Sequence, residues 1–311
     1  MEVKGMEAGQ YSQTALRAAC YRAYHVLHDE PLIFDDILAP SFLTSGEIAR
    51  HESDMVAGFR AAAPDYAASF PNNDAILAFM MQAMAAPALT LSRARYAEDW
   101  LTEAIQGGVG QYVILGAGLD TFAFRHPELL ENIKVFEIDH PDTQAFKRER
   151  LKGLQWNYPS GLEMVPLDFN QGSLAQALTA SSYDPLQPAC FSWLGVSYYL
   201  SRSTILDTLS SIAGLAAAGS SILFDYLDAD AFDPGKAAQR VQVLLMMARG
   251  VGETMLAGFE PGDLAGEVAR LGLTVKEDLA PADIQARYFA ARQDKYYACE
   301  HAHLVCLIKK D

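Results

Sequence analysis

The stretch YVILGAGLDTFAF, residues Tyr112–Phe124, decides the fold of this 311-residue chain. It opens as an apolar run, breaks at Gly-Ala-Gly, and continues into residues that suit a helix. An apolar run that ends in a glycine turn is typical of a buried strand whose carboxyl end receives a ligand. Which ligand the turn receives has to be inferred from the segments around it.

Apolar runs and helical segments alternate after this turn. The strands are predicted at VFEID (135–139), EMVPLDF (163–169), ACFSWLGV (189–196) and SSILFDYL (220–227), with a final apolar strand in AHLVCLIKK (302–310). Strands that alternate with helices indicate an α/β domain with a parallel sheet and helices on both faces. Ligands of such sheets bind at the carboxyl ends of the strands, so functional residues should follow each strand.

The first third of the chain has a different pattern. Helical segments run from about residue 13 to Trp100, and no convincing strand precedes Tyr112. We therefore predict two domains, a helical cap and substrate lid at residues 1–105 and a ligand-binding core at residues 106–311.

Composition and charge restrict the partners and the compartment. The formal net charge of −15 repels the phosphates of nucleic acids and anionic lipids, so neither a nucleic acid nor a membrane is an expected partner. The uncharged run Ala75–Ser92 is long, but Gln82 and Pro87 favour a buried helix that is kinked or ends at the proline. The four cysteines form no CxxC pair, which predicts reduced thiols and a cytoplasmic location. His301 and His303 lack a third ligand at suitable spacing, so no metal is expected.

The glycine turn itself argues against a dinucleotide. After Gly116-Ala117-Gly118, a dinucleotide fingerprint requires a third glycine where Thr121 stands. Asp120 places a negative charge where a pyrophosphate would be repelled. S-adenosylmethionine carries no phosphate and bears a cationic amine and a sulfonium, so it tolerates this acid. A plain tight turn between strand and helix is the alternative.

Acids follow the next two predicted strands. Glu137 and Asp139 lie 19 and 21 residues beyond Gly118, where an acid accepts hydrogen bonds from ribose hydroxyls. Two residues apart on a strand, they share a face. Asp168 can accept from an adenine amino group, and Phe169 can stack on the ring. An N-cap role for Asp168 is equally compatible with the sequence.

Aromatic and basic residues complete the candidate site. Trp193, Tyr198 and Tyr199 follow the fourth strand, where cofactor and acceptor should meet, although packing in the core is the alternative for each ring. Arg93 and Arg95 precede the first strand and are candidates for a clamp on a carboxylate, because guanidinium matches carboxylate geometry with two parallel hydrogen bonds. The junction of cap and sheet favours Arg93 over a solvated surface role.

These features together resemble the leucine carboxyl methyltransferase family, in its bacterial branch of S-adenosylmethionine-dependent methyltransferases. The resemblance rests on FDD, RARYAEDWL, VILGAGLDTFAFR, FEIDHP and PLDF, which run in family order between about residues 13 and 227. It implies a Rossmann-like, mostly parallel sheet with an antiparallel last strand and an N-terminal helical cap.

The resemblance also implies roles for single residues. Arg93 would hold the carboxylate of the methionine part of the cofactor. The remaining cofactor residues would be the turn Gly116-Ala117-Gly118 along the cofactor backbone, Asp139 with Glu137 at the ribose, and Asp168 and Phe169 at the adenine. Trp193 is counted with the cofactor residues from its place after the fourth strand. One position departs from the family pattern EGxxxYL: Leu194 precedes Gly195, so an acid is missing there.

We therefore predict an O-methyltransferase that forms a methyl ester on a carboxylate of a small molecule, with Tyr198 and Tyr199 orienting the acceptor. A carboxylate is ionised at neutral pH and needs no base. The alternatives are transfer to a hydroxyl, for which the sequence names no base, and transfer to the C-terminal carboxylate of a protein. A nicotinamide-dependent oxidoreductase and a non-catalytic cofactor-binding protein are two more. The sequence identifies neither the acceptor nor the oligomeric state.

Overall fold

The computed structural model describes residues 11–169, 171–250, 253–256 and 258–310. Helices occupy its first third: α1 (Gln13–His28), α2 (Ser45–Ala62), α3 (Pro64–Ala67), α4 (Asn73–Ala83) and α5 (Ala85–Gln106). Local capping fixes several of their starts. Ser12 accepts a hydrogen bond from the Ala15 N–H at the start of α1, and Thr44 and Glu47 form a capping box at the start of α2.

A seven-stranded sheet follows, in the order β3-β2-β1-β4-β5-β7-β6. Its strands are β1 (Gln111–Leu115), β2 (Lys134–Asp139), β3 (Leu162–Pro166), β4 (Ala189–Trp193), β5 (Ser221–Leu227), β6 (Leu273–Leu279) and β7 (Ala302–Lys309). β7 is antiparallel to both of its neighbours, and the pairs formed by β1 to β5 among themselves are parallel. The predicted α/β class, with a mostly parallel sheet and an antiparallel last strand, is confirmed.

Helices cover the sheet on both faces. The helices that follow β1 in the chain are α6 (Phe122–Arg125), α7 (Pro141–Gly153), α8 (Leu174–Thr179), α9 (Arg202–Leu215), α10 (Gln239–Gly250), α11 (Pro261–Ala269) and α12 (Pro281–Ile284). α9 contributes Ile205 and Leu209 to the core on one face, and α5 contributes Leu91 and Leu101 to the core on the other. Because both faces are covered, the central strands are buried along their length, as β1 illustrates.

The long apolar run near residue 80 is interrupted earlier than the sequence suggested. The break between α4 and α5 falls at Met84, and Pro87 lies in the first turn of α5, where its missing N–H removes no helical hydrogen bond. Of the helices in the described ranges, none crosses a membrane alone by length and hydropathy. α4 and α5, bent by 55°, pass that test only as a pair.

Candidate functional site

The glycine turn is fastened to the end of β2. The N–H groups of Gly116 and Ala117 both donate to the Ile138 carbonyl, at 2.8 and 3.1 Å, and the Gly118 N–H donates to the Asp139 carboxylate. Gly118 has a φ of +53°, a left-handed conformation that glycine adopts without strain. The turn and Asp139 therefore form one rigid corner at the carboxyl edge of the sheet.

The two acids of β2 have different environments. Glu137 is 1% exposed and forms an ion pair with the Lys147 ammonium, while its Oε1 lacks a hydrogen-bond partner among the described residues. Burial raises the pKa of Glu137 to about 7. Lys147 also donates to the Asp120 carbonyl at 2.6 Å, so this pair ties the glycine turn to α7. Asp139 is the half-buried acid at the strand end, and Glu137 lies beneath it.

The loop after β3 carries the proposed adenine residues. Asp168 accepts a hydrogen bond from Gln171 Nε2 at 2.7 Å and lies 3.8 Å from His140 Nε2. Phe169 is 47% exposed, so its ring is available to a ligand. The N-cap alternative for Asp168 is wrong, because the residue at the N-cap of α8 is Ser173.

Arg93 and Arg95 occupy contrasting surroundings on α5. The Arg93 side chain is 14% exposed, donates to the Tyr198 hydroxyl, and lies 3.4 Å from Asp225 Oδ2 through its Nη1. Arg95 is 49% exposed and pairs with Asp99 one helical turn away, at 2.6 Å. The structure therefore brings Arg93, and not Arg95, into contact with the residues that follow β4.

Gly195 lies directly against Arg93. Its φ is +76°, and a Cβ atom at this position would lie 2.5 Å from Arg93 Nη2. Its N–H donates to Asp225 Oδ1 at 2.7 Å. Sequence reasoning missed Asp225, although the signal was present: a carboxylate stands inside the otherwise apolar strand SILFDYL.

A cleft that is open to solvent, here called the cavity, lies between α1, α5, α10 and the turn at 197–199. Its polar lining includes Arg17, Arg93, Tyr198, Tyr199 and Glu253, and its apolar lining includes Leu244, Met247 and Met255. Arg17 forms no ion pair with any acid in the described parts of the chain. Sequence reasoning missed both Arg17 and Glu253, because neither stands in a motif.

The two tyrosines of the cavity are hydrogen-bonding groups. Burial raises the pKa of Tyr198 well above its ordinary value, and it also raises the pKa of Tyr199. Both hydroxyls therefore keep their protons at neutral pH, where they can donate to an acceptor but cannot serve as bases. Glu253 accepts a hydrogen bond from the Thr14 hydroxyl in the same cavity.

Trp193 and the C-terminal histidines lie outside this cavity. Trp193 is 2% exposed and packs in the core with Phe224, so the core-packing alternative describes its position and we leave it out of the proposed site. His301 and His303 each bond to an aspartate. Over the described ranges, no group of three or more potential metal ligands occurs.

Comparisons with known proteins agree with this architecture. YktD of Bacillus subtilis (strain 168), assigned as an S-adenosyl-L-methionine-dependent methyltransferase, is 36% identical over 98% of this chain and 100% of its own length. Franean1_4929 of Parafrankia sp. (strain EAN1pec), with the same assignment, is 31% identical over 71% of this chain and 66% of its own. A crystal structure of a DUF574 family protein from Streptomyces avermitilis MA-4680 shares the fold, with a TM-score of 0.55, 11% identity, and coverage of 94% and 97% of the two chains.

The fold and these relatives define the protein as an S-adenosylmethionine-dependent methyltransferase, with S-adenosylmethionine as its cofactor. More particularly, the chain belongs to the leucine carboxyl methyltransferase family, whose model matches residues 15–213.

Proposed function

We propose that this methyltransferase transfers its methyl group to a carboxylate of a small molecule and releases a methyl ester. The observation that carries the proposal is the cavity beside Arg93, in which Arg17 has no acidic partner among the described residues. An unpaired guanidinium beside apolar side chains favours an acceptor that brings its own carboxylate and an apolar body.

The residues at the carboxyl edge fit the cofactor. Asp139 would bind the ribose, the turn at 116–118 would approach the methionine part, and Asp168 with Phe169 would frame the adenine. Arg93 would bind the methionine carboxylate, because its Nη2 and Nε donate no hydrogen bond to any described residue. Glu137 would act indirectly, since its pair with Lys147 holds the turn in place.

Bound S-adenosylmethionine supplies an electrophilic methyl group on sulfonium. A carboxylate acceptor would take that methyl group on an oxygen that is already ionised, and S-adenosylhomocysteine would leave, so no residue of the chain would have to move a proton. The protein would align the acceptor through Tyr198, Tyr199 and Arg17, and would exclude water with the helical cap predicted at residues 1–105, of which residues 1–10 lie outside the described residues. We keep the cytoplasmic location in this proposal, since the four cysteines are unpaired, as in a reducing compartment.

Transfer to a hydroxyl is the second candidate, and Glu253 favours it. A hydroxyl needs a general base at neutral pH, and Glu253 is a carboxylate in the same cavity. Under this alternative, Glu253 would take the proton of the acceptor as the oxygen–carbon bond forms.

A labelling experiment distinguishes the two. The protein is incubated with methyl-tritiated S-adenosylmethionine and panels of small acids, small alcohols and peptides that end in a free carboxylate. We expect label in the acids, released by alkali as methanol, and a rate that changes little between pH 7 and 9. Glu253→Gln should then change kcat by less than about threefold, whereas loss of a general base costs about 100-fold or more. Alkali-stable label together with a large effect of Glu253→Gln would replace the ester by an ether.

A further inference from the structure

Asp225 is a buried carboxylate that joins three segments of the site. It lies near the carboxyl end of β5 and is 0% exposed. Its Oδ1 accepts the Gly195 N–H at 2.7 Å, its Oδ2 lies 3.4 Å from Arg93 Nη1, and its carbonyl accepts from the Ser197 hydroxyl. A buried carboxylate costs folding free energy unless it is paired and hydrogen-bonded. Because Arg93 is the cation that pairs with Asp225, this requirement restricts where the guanidinium can lie.

These contacts use one end of the Arg93 guanidinium and leave another edge unused. Nη1 donates to both Tyr198 and Asp225, and neither Nη2 nor Nε donates to any residue in the described ranges. Gly195 has no side chain, so Nη2 can lie against its Cα. Two parallel donors on one edge of a guanidinium match the two oxygens of a carboxylate.

The end of β4, next to β5, supplies no acid that could pair with Arg93. In the sheet register Trp193 pairs with Phe224, so Leu194 and Asp225 are the next residues along adjacent strands. Trp193 and Phe224 belong to the core on one face, whereas Leu194 packs against the core on the other, where α5 lies. Arg93 is therefore held by an acid from β5, next to a leucine from the end of β4.

We propose that Asp225 is a positioning residue that orients Arg93 so that its Nη2–Nε edge binds the methionine carboxylate of the cofactor. This inference rests on the role proposed above for Arg93. Asp225 would not touch the cofactor; it would act through the arginine. Its loss should therefore weaken ligands that carry the amino-acid part and spare ligands that lack it.

Calorimetry with two ligands tests this. S-adenosylhomocysteine carries the carboxylate, and 5′-methylthioadenosine retains the nucleoside and sulfur but lacks the amino-acid part. For Asp225→Asn we expect the Kd of S-adenosylhomocysteine to rise at least tenfold and that of 5′-methylthioadenosine to change less than twofold. Asp278→Asn is the matched control. Asp278 is an aspartate of the same sheet, on β6, that accepts from the Tyr226 hydroxyl and contacts His303, and its loss should leave the ratio of the two Kd values unchanged.

Equal weakening of both ligands by Asp225→Asn would overturn the proposal, because it would mean that the whole site had loosened. An unchanged Kd for S-adenosylhomocysteine would overturn it too. If Asp225→Asn does not fold, the double variant Leu194→Glu/Asp225→Asn returns an acid to the end of β4, next to β5. It should restore the preference for S-adenosylhomocysteine, and a folded double variant without that preference would count against the proposal.

Arg93→Gln separates this inference from the function on which it rests. Loss of the preference for S-adenosylhomocysteine in Arg93→Gln, but not in Asp225→Asn, would refute the role of Asp225 alone. Retention of the preference in both variants would refute the Arg93 clamp, and the inference with it.

Discussion

Replacing Arg93 should weaken cofactor binding, and replacing Arg95, two residues away on α5, should not. Arg95 therefore serves as the control for the loss of a positive charge. Arg93→Ala removes a side chain that is 14% exposed in the cavity, while Arg95→Ala removes one that is 49% exposed, pairs with Asp99 and donates to the Ile33 carbonyl. Both changes delete the same atoms and the same charge from one helix. A difference in Kd between the two variants therefore reports where the guanidinium lies, and not the loss of a charge in itself.

The magnitude follows from the surroundings of each side chain. A carboxylate that loses a largely desolvated guanidinium partner loses about 2–4 kcal/mol, which corresponds to a rise in Kd of roughly 30- to 1000-fold. Arg95→Ala breaks an exposed pair worth about 0.3–0.5 kcal/mol of folding stability and should leave the Kd unchanged. Arg93→Ala also leaves Asp225 buried without its cation, which should lower the free energy of unfolding by about 3–5 kcal/mol.

Isothermal titration of S-adenosylhomocysteine checks the prediction, at a temperature well below the unfolding midpoint of the less stable variant. Circular dichroism of each variant confirms that the titrated protein is folded. Equal weakening in the two variants, or an unchanged Kd in folded Arg93→Ala, would refute the assignment of the clamp.

Three further predictions concern the Glu137–Lys147 pair beneath the glycine turn and the glycine that lies against Arg93. Lys147→Met should destabilise the protein by about 3–5 kcal/mol at pH 8 and by less at pH 5, where Glu137 can protonate. Urea unfolding at the two pH values measures this, and an equal loss of stability at both would contradict it. The pKa of Glu137 is raised by burial to about 7 in the folded protein, so its contribution to stability is lost as the pH rises from about 4.5 to about 7. Relative to Glu137→Gln, the wild type should therefore lose up to about 3 kcal/mol between pH 5 and 7.5, and parallel stability curves would show otherwise. Gly195→Ala should cost about 1–3 kcal/mol of stability for its positive φ and should weaken S-adenosylhomocysteine binding by displacing Arg93; calorimetry that finds unaltered binding would exclude that contact as important.

The sequence alone predicted the sheet well where its signal was local. The strand–turn–helix at 112–124 and the alternation after it depend on residues that are near neighbours in the chain, and the structure confirms them. β6 was missed because it is an edge strand. Its segment LTVKEDL carries Lys276, Glu277 and Asp278, so it lacks the continuous apolar run that identified the central strands.

In the candidate site, too, the sequence indicated what depends on residues close together in the chain and missed what depends on distant ones. The sequence proposed the turn at 116–118, the acid Asp139 and the arginine Arg93 as site residues, since each lies beside a strand end or at the cap–sheet junction. It could not tell Asp139 from Glu137, because their difference is depth of burial and the pair with Lys147, which comes from α7. Nor could it find Asp225, which meets Arg93 across 132 residues of chain, or the cavity that α1 and α10 close. Periodicity and turn chemistry are properties of adjacent residues, whereas burial, charge pairing and cavities depend on which distant segments pack together, so only the tertiary structure decided them.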